Sequence, residues 1–131
     1  MDVMTALVAD DSRVFRVLVG EVLKERGVVV SEAGNGKEAL DKAVSGRPRL
    51  LVLDALMPGL SGFDVVKQLR EQTPDYRPVI FMVTGVYKSR RWASEARHVY
   101  EVDEYLEKPL EPEILLAALD RHFGDTTPRP D

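Results

Sequence analysis

The stretch that most constrains the fold is a run of four apolar residues at positions 50–53, which leads directly into Asp54. An apolar run without polar alternation indicates a strand that is buried on both faces, as strands are in parallel sheets. Because parallel α/β sheets bind ligands just beyond the carboxyl ends of their strands, we predict that Asp54 lies at a functional site. Taken alone, Asp54 is better explained as a residue that caps the next turn. A functional role for Asp54 therefore depends on which other residues lie at the same edge of the sheet.

Apolar segments and helical patterns alternate along the chain. Apolar runs predict strands at residues 4–9, 28–30, 50–54, 78–85 and 105–106. Capped or amphipathic segments predict helices at residues 13–26, 37–44, 63–72, 89–100 and 111–123. Because strands that alternate with helices form parallel sheets with helices on both faces, the predicted fold class is α/β. We expect a doubly wound five-stranded parallel sheet with five helices.

The first helix and the segment after the second strand give two detailed predictions. Ser12, or Asp11, is a suitable N-cap for the first helix. The apolar residues of that helix follow the spacing i, i+3, i+4 and i+7, which predicts its inner face; they are Phe15, Leu18, Val19 and Val22. The residues at 32–36 predict a turn, since they include two glycines and an asparagine.

Composition narrows the class of protein. At 131 residues, the chain has the size of one domain, which we expect at 1–124 with a flexible tail or the start of a linker at 125–131. The lack of cysteine excludes disulfides and thiolate metal sites. A net charge of −4 argues against direct nucleic-acid binding. The sequence has neither a signal peptide nor an apolar run that spans a membrane, so a cytoplasmic protein without membrane contact is expected.

Polar residues end four of the predicted strands. In a parallel sheet all carboxyl ends meet at one edge, so these residues should converge; they are Asp10, Asp11, Asp54, Thr84 and Lys108. Three carboxylates in a small volume repel one another unless a cation joins them, and oxygen ligands favour Mg²⁺. One carboxylate could then attack a phosphoryl group, while the hydroxyl and the ammonium contact its oxygens.

The ordered set of motifs resembles the receiver domain of two-component response regulators. The motifs are Asp10-Asp11, Asp54-Ala-Leu-Met-Pro-Gly, Val83-Thr84-Gly85 and Tyr105-Leu-Glu-Lys108-Pro109, and the resemblance covers residues 5–123. It implies a flavodoxin-like fold, in which Asp54 accepts a phosphoryl group from a sensor histidine kinase or a phosphotransfer protein.

The same resemblance implies roles for the remaining residues. Asp10, Asp11 and Asp54 would hold Mg²⁺ together with the backbone carbonyl of Leu56. Thr84 would be the switch hydroxyl, and Tyr105 would change rotamer with Thr84. Lys108 would pair with the phosphate, and the peptide bond between Lys108 and Pro109 would be cis. A receiver of this kind promotes only its own phosphorylation and dephosphorylation, so it is not an enzyme with an external substrate.

Two features leave the function open. Leu56 is apolar where the family often has a polar residue, and the segment between Thr84 and Tyr105 is longer than usual. Leu56 leaves room for a phosphate-independent docking module. A Mg²⁺-dependent aspartyl phosphatase remains a second alternative, because such enzymes also use an aspartate nucleophile and Mg²⁺ on a parallel sheet. We expect the output surface to bind a downstream effector protein or a second copy through residues of the fourth helix and the fifth strand; these are Arg90, Arg91, Trp92 and Tyr105.

Overall fold

The computed structural model describes residues 3–124, so the predicted tail at 125–131 lies outside the described residues. Within the described part the chain forms five strands, β1 Thr5–Ala9, β2 Val29–Ala33, β3 Leu50–Asp54, β4 Val79–Thr84 and β5 Glu104–Glu107. The same part forms five helices, α1 Arg13–Glu25, α2 Gly36–Gly46, α3 Gly62–Gln72, α4 Arg90–His98 and α5 Pro112–Phe123. Across residues 3–124, none of these helices is long and apolar enough to cross a membrane.

The strands form one sheet in the order β2-β1-β3-β4-β5, and each neighbouring pair is parallel. Helices cover both faces of this sheet. The side chains of α1 and α5 pack with Leu50 and Val52 of β3, while those of α2, α3 and α4 pack with Leu51 and Leu53. The predicted doubly wound sheet with five helices is therefore confirmed.

Strand β3 is the centre of the sheet and holds Asp54 at its end. All five of its residues are buried. Fully burying one leucine side chain contributes about 1.5–3 kcal/mol, so the three leucines of β3 anchor the strand strongly. The position of Asp54 is thus fixed by the core on both sides of the sheet.

Polar caps begin four helices near the carboxyl edge of the sheet. The N-caps of α1 to α4 each accept a hydrogen bond from the backbone N–H three residues later; they are Ser12, Asn35, Ser61 and Ser89. A side-chain N-cap contributes about 1 kcal/mol. The predicted cap at Ser12 is confirmed, and it starts α1 directly after Asp11.

Strand β2 is longer than the sequence predicts. It spans Val29–Ala33, so most of the predicted turn at 32–36 is wrong, and α2 already begins at Gly36. Strand β2 lies at the edge of the sheet, where Ser31 is exposed and Glu32 is half-buried. Pairing with β1, which places Val8 opposite Glu32, extends the strand through polar residues that the hydrophobic pattern did not mark.

Helix α1 exposes part of its predicted inner face. Leu18 is 62% exposed, while Val19 and Leu23 are buried. Phe15 and Val22 are partly buried at the margin of the same core cluster. The prediction for Leu18 is therefore wrong, because α1 packs on the sheet through the side centred on Val19 and Leu23.

Replacing Gly62 by alanine should destabilise the protein by about 1–3 kcal/mol, the usual cost of overpacking. A Cβ atom at this position would lie 2.4 Å from the backbone oxygen of Asp54 and 2.8 Å from the sulfur of Met82. Urea denaturation measures the change in the free energy of unfolding.

A matched control for this variant is Gly46→Ala. A Cβ atom at Gly46 would have Pro48 as its nearest neighbour, at 4.0 Å. Its free energy of unfolding should stay within about 0.5 kcal/mol of wild type or increase slightly. Equal free energies for the two variants would contradict the close packing of α3 against β3.

Candidate functional site

The predicted site residues meet at the carboxyl edge of the sheet, between β1 and β3. The sheet order reverses direction at this pair of strands, which is where open α/β sheets bind ligands. One carboxylate oxygen each of Asp10, Asp11 and Asp54 lies within 4.8 Å of the others. Thr84 ends the neighbouring strand β4, and Lys108 follows β5.

Asp10 is the most firmly held residue of this group. It is fully buried, and its backbone N–H donates to the carbonyl of Ala33 at 3.0 Å. Its carboxylate Oδ1 accepts from the backbone N–H of Ser12 at 2.8 Å. Its carbonyl accepts from Arg16 at 2.7 Å, and Arg16 also pairs with Glu32 at 3.0 Å.

No pattern in the sequence points to Arg16, because an arginine in a helix is usually solvated. Its side chain is only 18% exposed, and it connects α1 to the ends of β1 and β2 through Asp10 and Glu32. Arg16 therefore fixes the backbone at Asp10 from the helix side.

Lys108 lies between two carboxylates. Its Nζ is 2.6 Å from Asp10 Oδ2 and 3.2 Å from Asp54 Oδ2. Burial by itself lowers the pKa of Lys108, but the hydrogen bond to Asp10 and the charges of both aspartates outweigh it and raise the pKa above its ordinary value. The ammonium thus stays charged and partly neutralises the carboxylate cluster. The Lys108–Pro109 peptide bond that follows is cis, as the resemblance implies.

Asp54 lies in a less favourable environment for a charge. Its pKa is raised, chiefly because burial disfavours the carboxylate and also because Asp10 is close. The backbone N–H of Leu56, 3.1 Å from Oδ1, and the Lys108 ammonium oppose this shift. Asp54 forms part of the lining of an open depression, together with Asp11, Leu56, Met57, Pro58, Gly85, Val86 and Lys108.

The donor set fits a hard divalent cation. All three clustered groups are carboxylates, and oxygen ligands at this spacing suit Mg²⁺. Asp11 is exposed while Asp10 and Asp54 are buried, so the cluster opens to solvent on the Asp11 side. The Leu56 side chain is 48% exposed beside this opening.

Thr84 and Tyr105 both bind the backbone of Tyr87. The hydroxyl oxygen of Thr84 accepts from the N–H groups of Val86 at 3.0 Å and Tyr87 at 2.8 Å. The hydroxyl of half-buried Tyr105 donates to the carbonyl of Tyr87 at 2.5 Å. The two predicted switch residues are therefore joined through the loop that precedes α4.

The predicted output residues on α4 separate into two groups. Arg90 and Arg91 are exposed, whereas Trp92 is only partly exposed. The ring of Trp92 packs against Tyr87, with centroids 4.5 Å apart, and against Phe63, with centroids 5.9 Å apart. Trp92 therefore secures α4 to the rest of the domain while part of its side chain stays exposed, and its role in partner binding stays a prediction.

Comparisons with known proteins agree with this geometry. The chain matches the family model described as the response regulator receiver domain over residues 6–120. Response regulator MprA of Mycobacterium avium is 38% identical over 128 residues, which cover 98% of this chain and 54% of that relative. Response regulator MprA of Mycobacterium tuberculosis is also 38% identical, over 122 residues that cover 93% of this chain and 51% of the relative. The chain thus spans about half the length of these curated relatives.

Solved structures show the same likeness. Chemotaxis protein CheY4 of Vibrio cholerae superposes with a TM-score of 0.82 at 32% identity, over 92% of this chain and 98% of that chain. A receiver domain protein from Methanospirillum hungatei superposes with a TM-score of 0.82 at 23% identity, over 95% of this chain and 97% of that chain. The second likeness supports the fold alone.

Replacing Asp54 by asparagine should stabilise the metal-free protein at neutral pH. The raised pKa of Asp54 means that the folded state binds this proton more tightly than the unfolded state does. Ionised Asp54 therefore costs stability at neutral pH, and the cost disappears as the pH falls through the raised pKa towards the ordinary carboxyl value. We expect a gain of about 0.5–2 kcal/mol in EDTA, measured as an increase in Tm.

The pH dependence of the change in Tm and a control variant test whether the charge of Asp54 is the cause. The difference in Tm between Asp54→Asn and wild type should be largest at neutral pH and shrink on acidification. Asp41→Asn removes an exposed carboxylate on α2 and should change stability by less than about 0.5 kcal/mol. Mg²⁺ should stabilise wild type more than Asp54→Asn, by ligand linkage. If metal-free Asp54→Asn melts at a lower temperature than wild type, ionised Asp54 does not destabilise the fold and the prediction is wrong.

Proposed function

Because the chain belongs to the response regulator receiver domain family, we propose that it is a phosphoacceptor signalling domain that uses Asp54. The phosphodonor is a sensor histidine kinase or a phosphotransfer protein. One observation carries the proposal: Asp54 lines an open depression with its Oδ2 atom 3.2 Å from the Lys108 ammonium. A phosphoryl group that enters the depression meets a nucleophile and a cation together.

The transfer reaction needs one bond to form and one to break. A carboxylate oxygen of Asp54 attacks phosphorus, the bond between phosphorus and the donor imidazole nitrogen breaks, and an acyl phosphate remains on Asp54. Lys108 pairs with the phosphoryl oxygens. Asp10, Asp11 and Asp54 with the backbone carbonyl of Leu56 would hold Mg²⁺, which when bound offsets the negative charge of the phosphoryl group.

The arrangement of charges favours this function over the two alternatives. A phosphate-independent docking module would have no use for Asp10 and Asp54 buried side by side, since like charges in a buried cluster cost stability. A Mg²⁺-dependent aspartyl phosphatase would use the same groups, but it would turn over a small phosphomonoester continuously. Stoichiometric labelling without steady turnover distinguishes the receiver from the phosphatase.

The switch follows from the contacts of Tyr87. To reach a phosphoryl group on Asp54, the Thr84 hydroxyl must turn away from the Tyr87 N–H that it now binds. This releases the Tyr87 N–H, and a change of rotamer at Tyr105 releases the Tyr87 carbonyl that its hydroxyl now binds. Because the Tyr87 ring packs on Trp92, movement of this loop is transmitted to α4.

The output surface is the face formed by α4, β5 and α5. Arg90 and Arg91 are exposed at the start of α4, and arginine is enriched at protein interfaces. This surface contacts a downstream effector protein or a second copy of the chain. Phosphorylation at Asp54 alters its shape through Thr84 and Tyr105.

Acetyl phosphate with Mg²⁺ should add one acid-labile phosphoryl group to the protein, detected by intact mass. Asp54→Asn should abolish this labelling, because it removes the nucleophilic carboxylate. Asp41→Asn, which removes an exposed carboxylate on α2, should label like wild type. Full labelling of Asp54→Asn would refute the assignment of the acceptor, and steady release of phosphate from p-nitrophenyl phosphate would support the phosphatase.

Beryllofluoride with Mg²⁺ should change the fluorescence of Trp92, the single tryptophan of the chain, because Tyr87 packs on its ring. NMR shift changes should extend from Thr84 to Tyr105 through the residues at 86–104. In Thr84→Val, shifts near Asp54 should persist while the Trp92 response is lost. Shifts confined to the loops around the carboxylate cluster in wild type would count against this switch.

A further inference from the structure

We propose that Phe15 is a positioning residue of the phosphoacceptor site, whose ring holds the Lys108 ammonium in place for the incoming phosphoryl group. The proposal rests on the proposed function of Asp54. The Nζ atom of Lys108 lies 4.3 Å from the centroid of the Phe15 ring. This is well within the distance of about 6 Å at which a cation is attracted to an aromatic face.

Three groups surround the ammonium from different elements. Asp10 at the end of β1 and Asp54 at the end of β3 accept its hydrogen bonds, and Phe15 of α1 presents its ring. The Lys108 side chain is only 24% exposed, and the attraction between a cation and a ring grows when water is excluded. The two carboxylates and the ring together restrict where the ammonium can lie.

Phe15 is itself held in position by the start of α1. Its backbone N–H donates to the Ser12 hydroxyl at 3.2 Å. The ring also lines an apolar groove between α1 and the start of α5, with Val14, Leu18, Val22, Leu110 and Leu115. Lys108 lines both this groove and the depression that holds Asp54. The Phe15 ring thus offers the ammonium a favourable surface on the groove side, where an aliphatic side chain would offer none.

The ring matters most when the charges around Lys108 change. As Asp54 accepts a phosphoryl group, the hydrogen bond from Lys108 to Asp54 must be exchanged for one to a phosphoryl oxygen. A neutral aromatic face does not compete for the N–H donors, so it can hold the ammonium nearby while this exchange occurs. Loss of the ring should therefore slow phosphorylation, with an effect on the rate at saturating donor rather than on donor affinity.

The test replaces Phe15 in the full chain by phenylalanines that carry increasing numbers of ring fluorines. Fluorination reduces the negative potential of the ring face while nearly preserving its shape. The rate of phosphorylation by saturating acetyl phosphate with Mg²⁺ should fall stepwise along the series. The Phe15→Leu variant should be phosphorylated about three- to tenfold more slowly than wild type. The Phe15→Tyr variant, which keeps an aromatic ring, should retain most of the wild-type rate. A flat series, with all rates equal, would overturn the proposal.

Two further measurements separate the possible failures. Leu18→Ala changes the same groove at a residue that is 62% exposed, and its rate should stay within about twofold of wild type, the scatter expected of a surface substitution. NMR signals of the Lys108 side chain should show a ring-current shift that Phe15→Leu removes, whether or not Asp54 is phosphorylated. If Phe15→Leu does not change the chemical shifts of Lys108, the role of Phe15 is overturned and the proposed function is unaffected. If acetyl phosphate never phosphorylates the wild type, the proposed function itself is overturned.

Discussion

The Lys108 ammonium, 2.6 Å from Asp10 and 3.2 Å from Asp54, holds together carboxylates that would otherwise repel one another. The two aspartates are brought side by side because β1 and β3 pair with Ala9 opposite Leu53, one residue before each. Lys108 reaches them from the segment after β5, which is joined to β4 by a hydrogen bond between the Lys108 N–H and the Thr84 carbonyl. These two ion pairs therefore join the ends of β1 and β3 to the segment that follows β5.

The cluster of carboxylates lowers the free energy of unfolding, and the rest of the fold must offset this loss. The raised pKa of Asp54 shows that its environment disfavours the charged form that the proposed chemistry requires. The fully buried strand β3 supplies the compensating hydrophobic stabilisation. Arg16 and Ser12 add hydrogen bonds that fix Asp10. A site that is unfavourable in isolation is thus kept in place by a rigid sheet, as is common where function opposes stability.

The contacts around Tyr87 connect the carboxylate cluster to the surface of α4. Thr84 binds its N–H and Tyr105 binds its carbonyl. Aromatic packing continues from Tyr87 to Trp92 and from Trp92 to Phe63 of α3. Hydrogen bonds and packed rings thus join the end of β4 to both helices.

The fold class and the residues at the carboxyl edge of the sheet can be predicted from the order of residues in the chain. Uninterrupted apolar runs mark buried strands, and parallel strands place their ends together, so Asp10, Asp54, Thr84 and Lys108 could be predicted to converge. Hydrophobic periodicity predicts β2 too short, since it carries little information about an edge strand that includes polar residues. Its true extent follows from pairing with β1.

The contacts of the side chains around the site depend on how the helices pack on the sheet. In the sequence Phe15 belongs to an apolar stripe and Arg16 to a polar one, yet the fold brings one onto the Lys108 ammonium and the other onto the Asp10 carbonyl. Leu18 of the same stripe is left exposed. These outcomes depend on the rotation of α1 against the sheet, which is set by packing between elements far apart in the chain. Local periodicity defines a helix face only to within about one residue, and contacts of a few ångströms need finer placement.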